Sequence, residues 1–213
     1  MAAGGHTAAL PRGGLTAASL DLESGAMVVR VTSQPLGDDL IAVSTAPTAP
    51  QVPQLTTAGA SVTVHLGPAF GAGGGGGTVD ILLNAAVTWS VRLNGGSTTT
   101  RLDARAGGLT SLELAAGASN EEISLGHPVG TLVLIVTGGA AEMHLHLPRE
   151  VPVRLRTGGG ASSVTVDGVA EPRSQSPQTV TTPGYESATD RVDVDLRAGV
   201  GTVTVDRGIA SLG

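Results

Sequence analysis

Three side chains that could bind a metal ion alternate along one short segment, at Glu142, His144 and His146. On a β-strand, alternate residues point to the same face, so the three would project side by side. Carboxylate and imidazole groups are common zinc ligands. Three ligands in a line on a flat sheet give poor tetrahedral geometry, and no further group in the sequence orients them. The pattern therefore favours a solvated polar face opposite Met143 and Leu145, and no bound metal is expected.

Paired carboxylates are a second source of chemistry, because glycoside hydrolysis uses an acid and a base set across a sugar. The chain offers Asp38–Asp39, Glu121–Glu122, and Asp193 with Asp195. Neighbouring residues on a strand point to opposite faces, so the first two pairs could not act together. The third pair shares a face but is flanked by arginines, as in a charge-balanced surface. A carbohydrate-active or metal-dependent enzyme is a remote alternative.

Other catalytic and cofactor motifs are missing from the sequence. There is no G-x-S-x-G elbow, and no histidine is predicted to lie beside a suitable serine. The run Gly71–Gly77 contains G-x-G-x-x-G, but a predicted strand follows it where a dinucleotide site requires a helix. The chain has no lysine for a phosphate-binding loop. The sequence predicts neither catalytic residues nor a cofactor.

Composition narrows the classes of partner. The 213 residues carry 12 basic and 18 acidic side chains, a net charge of −6, which argues against nucleic acid because binding to it requires a basic surface. There is no cysteine, hence no disulfide or thiolate site. Met1–Leu20 lacks the pattern of a signal peptide, and no apolar run reaches the length of a membrane helix. We expect a soluble chain without direct membrane insertion, with the cytoplasmic face of the bacterial envelope as one location.

Short segments that alternate apolar and polar residues recur along the chain, and they predict an all-β protein. The clearest predicted strands are Val87–Leu93, Leu132–Val136, Met143–Leu147, Val151–Arg156 and Val192–Leu196. Further strands are predicted at Leu15–Leu22, Met27–Val31, Leu40–Val43, Val62–Leu66 and Val79–Leu83. Prolines in Ala46–Gln54 remove backbone donors, so that stretch is predicted to be a loop.

A glycine-rich step returns at intervals of 21 to 22 residues, at Gly95-Gly96-Ser97, Gly117-Ala118-Ser119, Gly138-Gly139-Ala140 and Gly159-Gly160-Ala161. A period in this range is typical of stacked repeats, in which each coil buries its apolar face against its neighbours. The glycines suit the corners of such coils. The sequence therefore predicts a β-helix with a coil of about 21 residues.

One domain accounts for the whole chain in this interpretation. Residues 1–14 form a flexible N-terminal segment, and the β-helix-like domain spans 15–208. Its first part, to about residue 83, is irregular and could belong to the stack or form a separate cap. Regular repeats occupy 84–169, a proline-rich excursion occupies 171–190, and closing strands occupy 191–206.

The region from about Trp89 to Gly168, with its Gly-Gly-Ala corners, resembles the toastrack domains, which are adhesin-like single-stranded β-helices of bacterial envelope-stress proteins. The closing segments Arg191–Leu196 and Gly199–Asp206 share the likeness. The resemblance implies a β-helix that accompanies membrane segments and acts in signalling or protein interaction. It implies no catalytic residues.

The favoured hypothesis is a non-catalytic module for protein interaction or envelope sensing, with a protein partner that could be a membrane protein. Its predicted interaction patch consists of Val133, Ile135, Arg154 and Arg156, which alternate on predicted strands and face outward. The alternative is a scaffold that polymerises end to end, because uncapped coils present unpaired backbone groups.

Overall fold

The computed structural model describes residues 5–69, 77–171 and 177–207, so residues 71–76 of the Gly71–Gly77 run lie outside the description. The described residues form 19 strands in two sheets and no helix, which confirms the predicted all-β, β-helix-like fold. Within these ranges, the chain accordingly contains no helix with the length and apolar character needed to cross a bilayer.

Sheet I has ten strands. In spatial order they are β1 (His6–Pro11), β4 (Asp39–Thr45), β7 (Thr78–Asn84), β3 (Ala26–Gln34), β9 (Ser97–Ala104), β11 (Ala118–Leu125), β13 (Ala140–His146), β19 (Val200–Asp206), β15 (Ala161–Val166) and β16 (Val169–Ala170).

Sheet II has nine strands. Their spatial order, which starts at the end of the stack where the order given for sheet I finishes, is β17 (Thr179–Thr181), β14 (Val153–Thr157), β18 (Arg191–Leu196), β12 (Thr131–Val136), β10 (Leu109–Leu114), β8 (Thr88–Leu93), β2 (Ala17–Leu22), β6 (Ser61–Pro68) and β5 (Gln51–Ala58).

Each coil of the stack contributes one strand to sheet II and the next strand to sheet I. Neighbouring coils pair in parallel, and Glu122 of β11 lies opposite Arg101 of β9 and His144 of β13. These partners are separated by 21 and 22 residues, which is the interval of the glycine steps. The repeat in the sequence is therefore the coil of the structure.

The order of coils in space differs from their order in the chain at both ends. The coil β18–β19 lies between β12–β13 and β14–β15, and the coil β2–β3 lies between β6–β7 and β8–β9. The coils nearest the two termini are thus paired on both sides. Among the described residues of the first part of the chain, β2, β3, β6 and β7 belong to the same two sheets as the strands of the regular repeats.

Antiparallel strands extend both ends of the stack. At one end β4 and β1 extend sheet I, and β5 extends sheet II. At the other end β16 extends sheet I, and β17 extends sheet II. The predicted flexibility of residues 1–14 is wrong for His6–Pro11, because this segment pairs with β4. The predicted loop Ala46–Gln54 is wrong from Gln51 onward, since an edge strand tolerates Pro53 where a central strand would not.

The core lies between the two sheets and consists of stacked aliphatic rows. In sheet II, Leu20, Val91, Leu112, Leu134 and Val194 occupy one row, each in register with the next and each at most 1% exposed. Because alternate residues of a strand face opposite sides, a slip of one residue would move the whole row into water. Burial of each such side chain contributes about 2 kcal/mol, so the parallel register is strongly specified.

A column of glycines stacks at the corner where each coil passes from sheet II to sheet I. The amides of Ser97 and Ala118 donate to the carbonyl oxygens of Gly117 and Gly139 in the next coil. A Cβ on Gly138 would collide with the backbone of Ala116 and Gly117. The column comprises Gly25, Gly96, Gly117, Gly139 and Gly199. Consecutive coils can therefore approach this closely only where the corner lacks side chains.

Replacing Gly138 with Ala is expected to lower stability by about 2 kcal/mol, because the new methyl group forces the neighbouring corner away. The control is Gly96→Ala, whose Cβ would lie 3.6 Å from the carbonyl oxygen of Gly117, an ordinary contact. Thermal unfolding measures both variants. Equal melting temperatures would contradict the close approach at Gly138.

One carboxyl group interrupts the apolar interior. Glu121 of β11 points into the core, 1% exposed, between Thr100 and Met143 of the neighbouring coils. Its Oε2 atom has no hydrogen-bond partner among the described residues. Burial raises the pKa of this carboxyl from 4.5 to about 8, because the charged form loses its hydration. Glu121 is therefore protonated in the folded protein at neutral pH.

The raised pKa of Glu121 predicts how stability depends on pH. The protonated carboxyl favours the folded state fully below pH 4.5, and this contribution is lost as the pH rises to about 8. The total loss is on the order of 5 kcal/mol. Urea unfolding across this range should show the decline, and Glu121→Gln should remove it.

The control for this prediction is Glu122→Gln, which changes the adjacent carboxyl on the solvent face. Glu122 lies 3.2 Å from Arg101 and remains partly exposed. This variant should keep the decline of the wild-type protein. A decline that persists in Glu121→Gln would assign the effect to other groups.

Candidate functional site

The three candidate metal ligands, Glu142, His144 and His146, do not converge in the structure. The Nδ1 atom of His146 lies 2.8 Å from Oδ1 of Asp206, on the neighbouring strand β19. His144 and Glu142 are 3.9 Å apart and exposed. Across the ranges that the structure describes, no group of three His, Asp or Glu side chains is placed to hold a metal ion. His146 is thus committed to a carboxylate, away from the other two residues.

The predicted interaction patch is divided in the structure. Strand β18 lies between the strand of Val133 and Ile135 and the strand of the two arginines, and it presents Asp193 and Asp195 between them. The Arg154 guanidinium lies 2.7 Å from Asp193. The four patch residues, Val133, Ile135, Arg154 and Arg156, lie on one sheet face but form no continuous apolar surface.

Arg154 is also held by an aromatic contact. Its guanidinium carbon lies 4.7 Å from the centre of the Tyr185 ring, and that of Arg191 lies 4.9 Å from it. Tyr185 belongs to the proline-rich excursion and is 1% exposed. Stacking of cations on an aromatic ring in a shielded site is attractive by about 1–2 kcal/mol. These contacts fix the excursion to sheet II and give Arg154 a structural role.

A groove of about 530 Å³ lies at the other corner, where the strands of sheet I end and the chain turns back to sheet II. Its lining comes from the ends of β9, β11, β13 and β19 and the turns that follow them. The segments involved are Arg105, Ser124–His127, His146–Glu150 and Arg207. The groove is thus built by four consecutive coils in space, at the opposite ends of the strands from the glycine column.

The floor of the groove contains a polar row set by the parallel register. Ser124 lies opposite Asp103 and His146, and His146 lies opposite Asp206. The parallel register therefore places a histidine beside a serine, a proximity that the sequence alone did not predict. Ser124 and His146 are 22 residues apart in the chain, and only the stacking of coils brings them together.

This Ser-His-Asp row does not have the arrangement of a nucleophilic triad. The Ser124 hydroxyl oxygen is buried and has no hydrogen-bond partner among the described residues, including His146. The nearby Gly126 amide, a possible oxyanion donor, already donates to the Ala104 carbonyl. A triad needs its base bonded to the nucleophile and free donors at the oxyanion. The row suits binding better than catalysis.

Arg207 fixes one wall of the groove. Its guanidinium donates to the carbonyl oxygens of Pro148 and Val151, and its Nε lies 2.9 Å from a carboxylate oxygen of Asp167. At the rim, Nε2 of His127 lies 2.6 Å from Oε1 of Glu150 and so joins two successive turns. The groove is therefore held open by polar contacts between neighbouring coils.

The groove contains several arginines although the protein as a whole is acidic. Three arginines and a single glutamate line it, whereas the whole chain carries a net charge of −6. Arg105 binds Asp103 through two contacts of 2.9 and 2.6 Å, and this hydrogen bonding lowers the pKa of the Asp103 carboxyl. Arg149 is exposed and, within the described residues, has no carboxylate within ion-pair distance. Arg149 is available to an anionic ligand.

Sequence reasoning missed the groove, although one signal was present. A basic residue follows each of four sheet I strands within three positions, at Arg105, His127, Arg149 and Arg207. The first three of these recur at the 22-residue interval of the coils. Repeated placement of one residue class after successive strands predicts a row of such residues along one edge of a stack.

Replacing Arg207 with Ala is expected to release the turn 147–151, because three hydrogen-bond acceptors lose their donor. The loss of charged hydrogen bonds lowers stability by about 1–3 kcal/mol. Hydrogen exchange should accelerate at the amides of Leu147 and Val151, which bond to backbone carbonyls in this region. Arg149→Ala is the control, and equal exchange in both variants would contradict the role of Arg207.

Comparison with known proteins establishes the fold alone. No protein-family model and no curated protein matches the chain. A solved structure of a "putative cell adhesion protein" from Clostridium sporogenes ATCC 15579 is 13% identical, with a TM-score of 0.60 over 94% of this chain and 97% of that one. The adhesin-like β-helix fold indicated by the sequence is thereby confirmed.

Two further solved structures, each described as a "putative adhesin", align over 93% of this chain and 95% of theirs. The protein from Bacteroides fragilis NCTC 9343 is 9% identical with a TM-score of 0.28. The protein from Parabacteroides distasonis ATCC 8503 is 10% identical with a TM-score of 0.22. These scores are too low to support any argument about this chain.

Proposed function

We propose that this chain is a non-catalytic binding module of the bacterial cell envelope that contacts a protein partner through the groove. The observation that carries the proposal is the combination, in one concave site, of the unpaired Arg149 and the unpartnered Ser124 hydroxyl. Concave sites with a few convergent polar groups are the usual places for ligands. The name of the solved structure from Clostridium sporogenes, which mentions cell adhesion, agrees with a binding role.

The outer faces of the two sheets differ from the groove, because their polar side chains bond to one another. On sheet I, Arg30 pairs with Asp80 and Arg101 pairs with Glu122. On sheet II, Ser90 and Ser111 bond to each other at 2.6 Å. Polar groups that satisfy one another across neighbouring strands leave little to gain from a partner. The groove offers polar groups that a ligand could satisfy.

The polymerising scaffold receives less support. Growth from the ends would require open strand edges, and antiparallel strands extend both ends of this stack. At one end β1 and β5 come into contact with each other across the two sheets. Catalysis likewise receives little support, for the geometric reasons given for Ser124.

Photo-crosslinking in the native bacterium tests the proposed function. A crosslinking amino acid replaces Arg149 at the groove or, as a control, Arg92 on the exposed face of sheet II. The groove position should yield one discrete protein adduct in the envelope fraction, and the control should not. The proposal would be contradicted if only the variant with the crosslinker at position 92 formed adducts, or if the protein were absent from the envelope fraction.

A further inference from the structure

We propose that the groove binds the C-terminal carboxylate of a peptide chain together with an aliphatic terminal side chain. This inference rests on the proposed function and specifies its ligand. It follows from the charge of the groove, the unpartnered hydroxyl on its floor and the character of its walls.

The charge of the groove selects an anion. Arg149 is exposed and has no carboxylate within ion-pair distance among the described residues, whereas Arg105 and Arg207 are already paired with Asp103 and Asp167. The Glu150 carboxylate is already engaged, 2.6 Å from Nε2 of His127. A guanidinium can form two parallel hydrogen bonds with one carboxylate, and such bidentate pairs are stronger and more specific than single hydrogen bonds.

The hydroxyl of Ser124 provides an independent indication of a polar ligand. Ser124 is 1% exposed and lines the groove, yet its Oγ has no hydrogen-bond partner among the described residues. A buried polar group without a partner costs about 1–3 kcal/mol, so a ligand atom that satisfies it is favoured. A carboxylate oxygen or a peptide carbonyl can accept this hydrogen bond.

The walls of the groove suit an aliphatic side chain. Leu125, Leu147 and Pro148 line it. The volume of about 530 Å³ lies within the range of about 300–1,000 Å³ that is typical of ligand pockets. This space accommodates the end of a peptide chain rather than a folded surface.

The lining also distinguishes a peptide from an acidic sugar, which carries the same carboxylate. None of the described residues that line the groove is Phe, Tyr or Trp. Aliphatic walls favour a hydrocarbon side chain, whereas the many hydroxyls of a sugar would lose their hydration against them. The carboxylate is therefore assigned to a peptide, and the sugar becomes a control.

Titration calorimetry with short peptides tests this assignment on the full chain. The probes are an acetylated tetrapeptide that ends in Ala-Leu with a free carboxylate, the same peptide as its carboxamide, and glucuronate. The free acid should bind at least about tenfold more tightly than the amide, because the amide cannot form the charged hydrogen bonds with Arg149. Replacement of the terminal Leu with Asp should weaken binding.

Variants assign the binding to the groove. Arg149→Ala and Ser124→Ala should each weaken binding of the free acid several-fold, while Arg92→Ala on sheet II should leave it unchanged. Circular dichroism checks that each variant is folded, and Ser124→Thr serves as a second variant that keeps the hydroxyl and should retain binding.

Equal affinity for acid and amide, no binding by the acid, or tighter binding of glucuronate would overturn the inference. The crosslinking experiment separates this failure from failure of the proposed function. A groove adduct together with equal binding of acid and amide would leave the proposed function standing and would reject the carboxylate. Loss of both would reject both.

Discussion

The close approach of successive coils at the glycine corner is the constraint on which the remaining structure depends. A Cβ on Gly138 has no room against Ala116 and Gly117, and the amides beside the column bond to glycine carbonyls of the next coil. The corner thereby fixes the starting point of each sheet I strand. Because the strands then run in parallel and in register, their ends also align, and the groove is formed where those aligned ends turn.

The parallel register aligns polar side chains in rows on the outer faces and apolar side chains in rows in the core, and the two kinds of row contribute differently to stability. Outward rows pair opposite charges, as in Arg101 with Glu122, and exposed pairs of this kind contribute at most about 1 kcal/mol. The inward rows contribute most of the stability through aliphatic contact. Glu121 breaks one inward row, and it is retained in its protonated form at a cost that depends on pH. A stack with many aliphatic rows can accommodate one such interruption.

The sequence was sufficient for the fold class, the coil length and most strands, because each depends on local patterns with a fixed period. It was not sufficient for the order of coils. The coil β18–β19 lies between β12–β13 and β14–β15, and the coils are too similar in their apolar pattern for the sequence to show which of them are neighbours. The strand β5 was not predicted because it contains Pro53. A proline disrupts a central strand but is tolerated in an edge strand, and the sequence does not show which of the two a strand is. The groove was missed because Ser124 and His146 meet only through stacking. Spacing could have indicated their alignment, but the burial of the Ser124 hydroxyl depends on the turns that cover it.

The central claim is that ligands contact this protein at the strand ends of sheet I. Amide chemical shifts, followed by nuclear magnetic resonance during addition of the free-acid peptide, test it most directly. We expect chemical-shift changes confined to the groove, at Ser124–His127, at 146–150 and at Arg207. Changes centred on Val133 and Ile135 of sheet II, with the groove unaffected, would contradict it.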